Sequence, residues 1–179
     1  MREVILILGP SGSGKSYFQK KLVEKGYSLI VSSTTREKRD GELEGVHYHF
    51  KKDKEHFFQD EYLEHAQVGD KYYGTPKKEF YKSNKIAHVV EPYGAKILVD
   101  SFKDDKSVNI KIVFFDIDRA TCEKNLKGDK DSLSEKDLER LDRDLKDSIN
   151  KRLEEKNLIP DVVIKSLNYN VDEVLSQLS

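Results

Sequence analysis

Val4-Ile5-Leu6-Ile7-Leu8, followed at once by Gly9-Pro10-Ser11-Gly12-Ser13-Gly14-Lys15-Ser16, is the stretch on which the reading of this chain turns. An unbroken apolar run of β-prone residues suits a strand covered on both faces, as in a parallel sheet. The residues after it fit the pattern G-x-x-x-x-G-K-[ST]. Glycines there let backbone N–H groups turn inward around phosphate oxygens. A helix opening near Gly14 would add the positive end of its dipole. Lys15 can reach the β- and γ-phosphates of a nucleotide, and the Ser16 hydroxyl can hold Mg²⁺. The expected phosphate-binding set is therefore Gly9, Ser11, Gly12, Ser13, Gly14, Lys15 and Ser16, with Ser16 toward the metal. Phe18, Leu22 and Val23 then recur with helical spacing, and Gly26 is a helix stop. Strand, phosphate loop and helix open an α/β domain of the P-loop NTPase type.

Working outward, further short apolar runs read as strands at 29–31, 86–90, 110–115 and 162–164. Helical patterns fall at 94–103, 118–127 and 135–157. In the last, Leu138, Leu141, Leu145, Ile149 and Leu153 form one stripe, and Ser134 with Asp137 makes an N-terminal cap. The expected fold is a parallel sheet flanked by helices. Between its parts, 32–82 is polar and aromatic, with alternation such as Val46-His47-Tyr48-His49-Phe50, and reads as a small α+β insertion. Residues 127–134 read as a mobile polar loop. A length of 179 residues fits one domain. Its core would span 1–31, 83–126 and 138–179, with the insertion at 32–82 and a lid at 127–137.

Bulk composition excludes several classes. The chain carries 32 basic and 33 acidic residues, so no global field favours nucleic acid or an anionic membrane. Val4–Leu8 is too short for a signal core or a membrane span, and no other stretch comes closer. The single cysteine, Cys122, cannot close an internal disulfide and reads as packing. A reducing, cytoplasmic setting is expected.

The acceptor side is written in Ser32-Ser33-Thr34-Thr35-Arg36-Glu37-Lys38-Arg39-Asp40-Gly41-Glu42-Leu43-Glu44-Gly45-Val46-His47-Tyr48-His49-Phe50. Two arginines three apart, with hydroxyls before and a tyrosine after, can surround a phosphate. On composition alone a charged surface loop explains them as well. The order of residues resembles the guanylate kinase pattern S-x-T-T-R-x-x-R-x-G-E-x-x-G-x-x-Y-x-F. The resemblance continues in Tyr62-Leu63-Glu64-His65-Ala66 and Tyr72-Tyr73-Gly74-Thr75, and the phosphate loop has that family's GPSGSGKS form. Together these cover about residues 4–76; beyond them the match lies chiefly in the order of strands and helices.

The resemblance implies a nucleoside monophosphate kinase, with ATP and Mg²⁺ on the phosphate loop, an insertion that binds GMP or dGMP, and a lid. Arg36, Arg39, Tyr48 and Tyr73 would hold the acceptor phosphate, and Ser32, Glu64 and Thr75 would face guanine. Glu64 suits guanine because N1–H and the 2-amino group are adjacent donors. The plain alternative for Glu64 is an acid on a helix surface.

The family's D-x-D-x-x-G segment corresponds to Val89-Val90-Glu91-Pro92-Tyr93-Gly94. Glu91 stands at the second acid and would join Glu64, whereas Val89 replaces an acid expected near Mg²⁺. The lid region, Glu123-Lys124-Asn125-Leu126-Lys127-Gly128-Asp129-Lys130, offers lysines where the family has arginines. Arg140 and Arg143 follow on one helix face, and Arg143 falls where a lid-side arginine is expected. Lys15, Arg36 and Arg143 are thus the expected catalytic cations. These departures leave two rivals open: a kinase for other or several (deoxy)nucleoside monophosphates, and a catalytically weak interaction module of the same family.

Overall fold

The structure, a computed structural model, describes residues 1–128, 132–146 and 153–178. Strand β1 (Arg2–Leu8) is the centre of the molecule, and Val4 to Leu8 are wholly buried. It pairs in parallel with β7 (Lys85–Val89) on one side and β8 (Val108–Phe115) on the other. β2 (Ser28–Leu29) and β9 (Val162–Ile164) complete the parallel order β2-β7-β1-β8-β9. Successive side chains of β1 serve opposite faces, as strand geometry requires. Ile5 and Ile7 join Phe18 and Leu22 of α1 (Lys15–Glu24), Leu141 of α6 (Glu135–Lys146) and Val174 of α7 (Val171–Gln177). Val4, Leu6 and Leu8 join Phe80 of α3 (Lys77–Tyr81) and Ala95 and Leu98 of α4 (Pro92–Phe102). Two helical layers therefore clamp the sheet, which is why β1 is apolar throughout.

A second sheet has the order β4-β3-β6-β5, built from β3 (Ser33–Thr34), β4 (His49–Phe50), β5 (Tyr62–Val68) and β6 (Lys71–Pro76), with α2 (Lys54–Phe57) beside it. It occupies the span read as an α+β insertion. α3, at the end of that span, gives Phe80 to the main core. Finally α5 (Arg119–Lys127) follows β8, with Asp118 accepting from the Thr121 N–H at its N-cap.

Several elements differ from the sequence reading. The strand expected at 29–31 ends at Leu29, because the Val31 N–H is taken by the Glu79 carboxylate at 3.0 Å. α4 starts two residues before the expected Gly94, since Pro92 is pre-set for the first helical position. Val23 lies off the packed side of α1 and is 49% exposed. Glu64 is on a strand, not a helix surface. The stripe read as one helix over 135–157 serves two cores. Leu141 lies in the cluster with Ile5 and Ile7, while Leu153 lies in the opposite one with Val4 and Leu6. Ser134 caps α6 as expected, accepting the Asp137 N–H at 3.2 Å. Ile149, and Asp129 and Lys130 of the expected lid, lie outside the described residues. Among the described residues, no helix is long and apolar enough to cross a membrane.

Candidate active site

The phosphate loop leaves β1 at Leu8 and enters α1 at Lys15, with Gly9, Gly12 and Gly14 all at positive φ. Gly12 is the tightest case: a Cβ there would run into the carbonyl of Cys122 on α5. α5 also fixes the loop from outside, as the Asn125 side-chain amide donates to the Gly12 carbonyl at 2.7 Å. Cys122 is buried and its thiol is pushed up to about 11 by burial, so it acts in packing. Inside the loop, Ser13 Oγ donates to the Pro10 carbonyl at 2.7 Å. Lys15 Nζ donates to the carbonyls of Gly9 and Pro10 at 2.7 and 2.5 Å. Burial lowers Lys15 to about 8, against the raising pull of Asp144 and Glu91. Ser16 is exposed on the cleft wall.

This loop forms one wall of a cleft of about 980 Å³, whose other walls include Ser32, Tyr48, Val89 and Arg140. Arg36 lies beside it, with its guanidinium over the rings of Tyr48 and Phe50 at 5.3 and 5.7 Å. Tyr48 meets Tyr73 edge to face at 6.3 Å. Thus Arg36, Tyr48 and Tyr73, spread over 37 positions of sequence, stand together. A residue that sequence reasoning left without a role organises them. Glu42 takes both Arg36 nitrogens, at 2.9 and 2.7 Å, and the Arg39 N–H at 2.8 Å. The Arg36 hydrogen bonds bring its carboxyl down to about 2. Arg39 is exposed and adds its charge to that effect. The acid was visible six residues after Arg36 in the quoted motif; what the motif lacks is any sign that the partner is Arg36.

Deeper in, β5 and β6 pair with a bulge between Tyr62 and Glu64, which sets Glu64 opposite Thr75. Thr75 Oγ1 lies 2.5 Å from Glu64 Oε1. Glu64 is 9% exposed, and burial raises its pKa while the Thr75 hydroxyl opposes the rise. Glu91 is exposed at the N-cap of α4. In the next turn Gly94 presses on Glu64, for a Cβ there would sit 3.0 Å from Oε2. Val89 pairs with Ile7 and packs against the core on the α1 side, so this position offers the cleft no carboxylate.

α6 brings Arg140 to the cleft. Arg143 does not line it; its side chain is 63% exposed and lies 3.7 Å from Asp144. Arg140 and Asp144 are one turn apart and share a side, on which Asp144 Oδ2 accepts from Ser11 N at 2.9 Å and Ser11 Oγ at 2.7 Å. Of the two α6 arginines, Arg140 lines the cleft, whereas Arg143, the one expected there, does not.

The guanylate kinase family profile matches residues 1–178, nearly the whole chain. The chain belongs to the guanylate kinase family. Relatives include the guanylate kinase of Mycoplasmopsis pulmonis (strain UAB CTIP), 40% identical over 126 residues, or 64% of each chain. That of Helicobacter hepaticus (strain ATCC 51449 / 3B1) is 48% identical over 92 residues, or 46% of each. The chain thus spans less than two thirds of the length of these relatives. Guanylate kinase from Anaplasma phagocytophilum has a crystal structure that covers 99% of this chain and is itself covered to 82%, with a TM-score of 0.61 and 23% identity. That likeness is one of fold. Within this family member, the phosphate loop, Ser32, Tyr48 and Arg140 line one cleft.

Proposed function

We propose that this chain transfers the γ-phosphoryl group of ATP to GMP or dGMP, giving ADP and GDP or dGDP. One observation carries the reading. A phosphate loop with intact Lys15 and Ser16 shares one cleft with Tyr48, which joins Arg36 and Tyr73, and the strand that carries Tyr73 also brings Thr75 to the buried Glu64. In this reading Gly9 to Ser16 hold the ATP phosphates. Arg36, Arg39, Tyr48 and Tyr73 hold the acceptor phosphate, with Glu42 keeping Arg36 aimed. Ser32, Glu64, Thr75 and Glu91 face the base.

An oxygen of the acceptor phosphate attacks the γ-phosphorus, and the bond to the β–γ bridging oxygen breaks, leaving ADP. The chain supplies position and charge, not a covalent intermediate. Lys15 and Arg140 offset charge on the transferring group. Mg²⁺ would be held by the Ser16 hydroxyl together with nucleotide oxygens and water, a donor set that suits a cation which keeps much of its hydration. When bound it would neutralise phosphate charge. The intact Lys15 and Ser16 also favour an enzyme over the interaction-module reading.

The test is ADP release with each nucleoside monophosphate, in wild type and in Glu64→Gln. GMP and dGMP should far outperform AMP, CMP and UMP, because buried acceptors reject a base that lacks the matching donors. Glu64→Gln should cost kcat/KM toward GMP and narrow its lead over AMP, since an amide can donate to the adenine N1. Equal wild-type values for GMP and AMP would remove the guanine reading. No turnover with any monophosphate would remove the kinase reading.

A further inference from the structure

His88 belongs to none of the motifs above. It sits in β7 between Ala87 and Val89, beside Leu6 of β1, and is 2% exposed. Its Nε2 lies 2.8 Å from Thr75 Oγ1. Thr75 is fully buried, and the same hydroxyl reaches Glu64. Three polar groups from β7, β6 and β5 thus form one buried chain, His88–Thr75–Glu64, in an otherwise apolar layer with Ile86 and Leu6.

The direction of that chain follows from counting protons. A threonine hydroxyl has one proton to give and lone pairs to receive with. At 2.5 Å the Thr75–Glu64 contact is a short O–H···O⁻ bond, so the proton goes to Glu64. Thr75 must then accept from His88, whose ring carries its proton on Nε2. Burial pushes His88 down to about 4, so at neutral pH the ring holds that single proton. Glu64 Oε1 is thereby engaged by Thr75, and Oε2 lies beside Gly94, which has no side chain of its own to press on it.

We propose that His88 is a positioning residue that sets the polarity of the acceptor-base pocket. By donating Nε2–H to Thr75 it commits the Thr75 hydroxyl to Glu64. At Glu64 and Thr75 the pocket then meets the incoming base only as acceptors: Glu64 Oε2 and the remaining lone pair of Thr75. The base it takes is one that presents adjacent N–H donors, and a base that offers an acceptor at that edge is refused. Without His88 the Thr75 hydroxyl is free to turn and donate to such a base. This inference rests on the kinase reading of the site.

Two measurements test it. In wild-type protein carrying ¹⁵N-labelled histidine, NMR at pH 7 should show His88 neutral and protonated at Nε2; a ring protonated at Nδ1 overturns the proposal without any variant. In kinetics, His88→Leu should raise KM for GMP by roughly tenfold, the scale of one hydrogen bond to a charged group. Its kcat and KM for ATP should stay within about twofold, and the GMP-to-AMP preference should shrink. His88→Gln, whose amide N–H can reach Thr75, should recover most of the loss. If His88→Leu does not fold, the NMR result stands as the test. A wild type that prefers GMP together with a His88→Leu variant that keeps KM and preference overturns the role of His88 alone. A wild type with no preference overturns the guanine reading beneath it.

Discussion

Lys15 is held by the loop it serves. Its ammonium spends its hydrogen bonds on the carbonyls of Gly9 and Pro10, and burial lowers it to about 8. Nucleotide phosphates favour the charged form, so above pH 8 binding must take up a proton. ATP affinity should therefore fall as pH rises through 8, by about tenfold between pH 7 and pH 9, since one pKa unit corresponds to one decade. Titration calorimetry at the two pH values would show this, and Lys15→Arg, which stays charged, should flatten the difference. A flat wild-type profile would mean that the loop does not perturb Lys15. The two arginines of α6 give a second outcome at this scale. Arg140→Ala should lower kcat for phosphoryl transfer by about tenfold or more, whereas Arg143→Ala should stay near wild type, as surface changes usually do. The reverse result would restore Arg143. Both arginines were visible as a pair on a polar helix face, yet their spacing says nothing about which one meets the phosphate loop. That depends on how α6 rotates when Leu141 enters the core. His88 was hidden for a similar reason. Inside Ile86–Val90 it reads as one more strand residue, because its partner Thr75 is on another sheet.

Among elements, the contact of α6 with the phosphate loop has the clearest consequence. Asp144 occupies the Ser11 N–H and hydroxyl, donors that a phosphate could use. A carboxylate there opposes an incoming anion and also ties α6 down. Asp144→Ala should thus tighten ATP binding at pH 7 by about threefold to tenfold, the range of one charge-assisted hydrogen bond. The same variant should melt at a lower temperature. Calorimetry with an ATP analogue and a thermal scan check the two halves; weaker ATP binding would show that Asp144 supports the nucleotide. Elements with strong local signatures were legible. The run Val4–Leu8 and the glycine-rich loop gave β1, its turn and α1, because their geometry is set by residue type. The second sheet was legible only as an irregular insertion. Its β3 and β4 are two-residue strands paired across distance, and no period shows in so short a run. The stripe over 135–157 misled because period alone cannot say when a chain changes the core it serves.

At the scale of the molecule, two sheets of different character share one chain. The second contains a tight hairpin, with β5 and β6 joined through Gly69 and Asp70. The first is assembled around its earliest strand. Glu3 pairs with Lys85 and Arg2 with Val108, so the neighbours of β1 arrive roughly 80 and 100 residues later, and long-range pairing of that kind is slow. Pulse-labelled hydrogen exchange during refolding should find amides of β5 and β6 protected before those of β1. Protection of β1 first would show that the central sheet nucleates folding. The placement of β1 also has a consequence during synthesis. From the moment Val4–Leu8 emerges, it is the most apolar part of the chain and has open edges on both sides. At translation speeds of about 5–20 residues per second it waits several seconds for β7 and β8. A nascent chain stalled before Val108 would carry the centre of the fold as an uncovered strand with unpaired edges, the kind of template on which chains associate, so the order of the sheet places its aggregation hazard in the chain still being made.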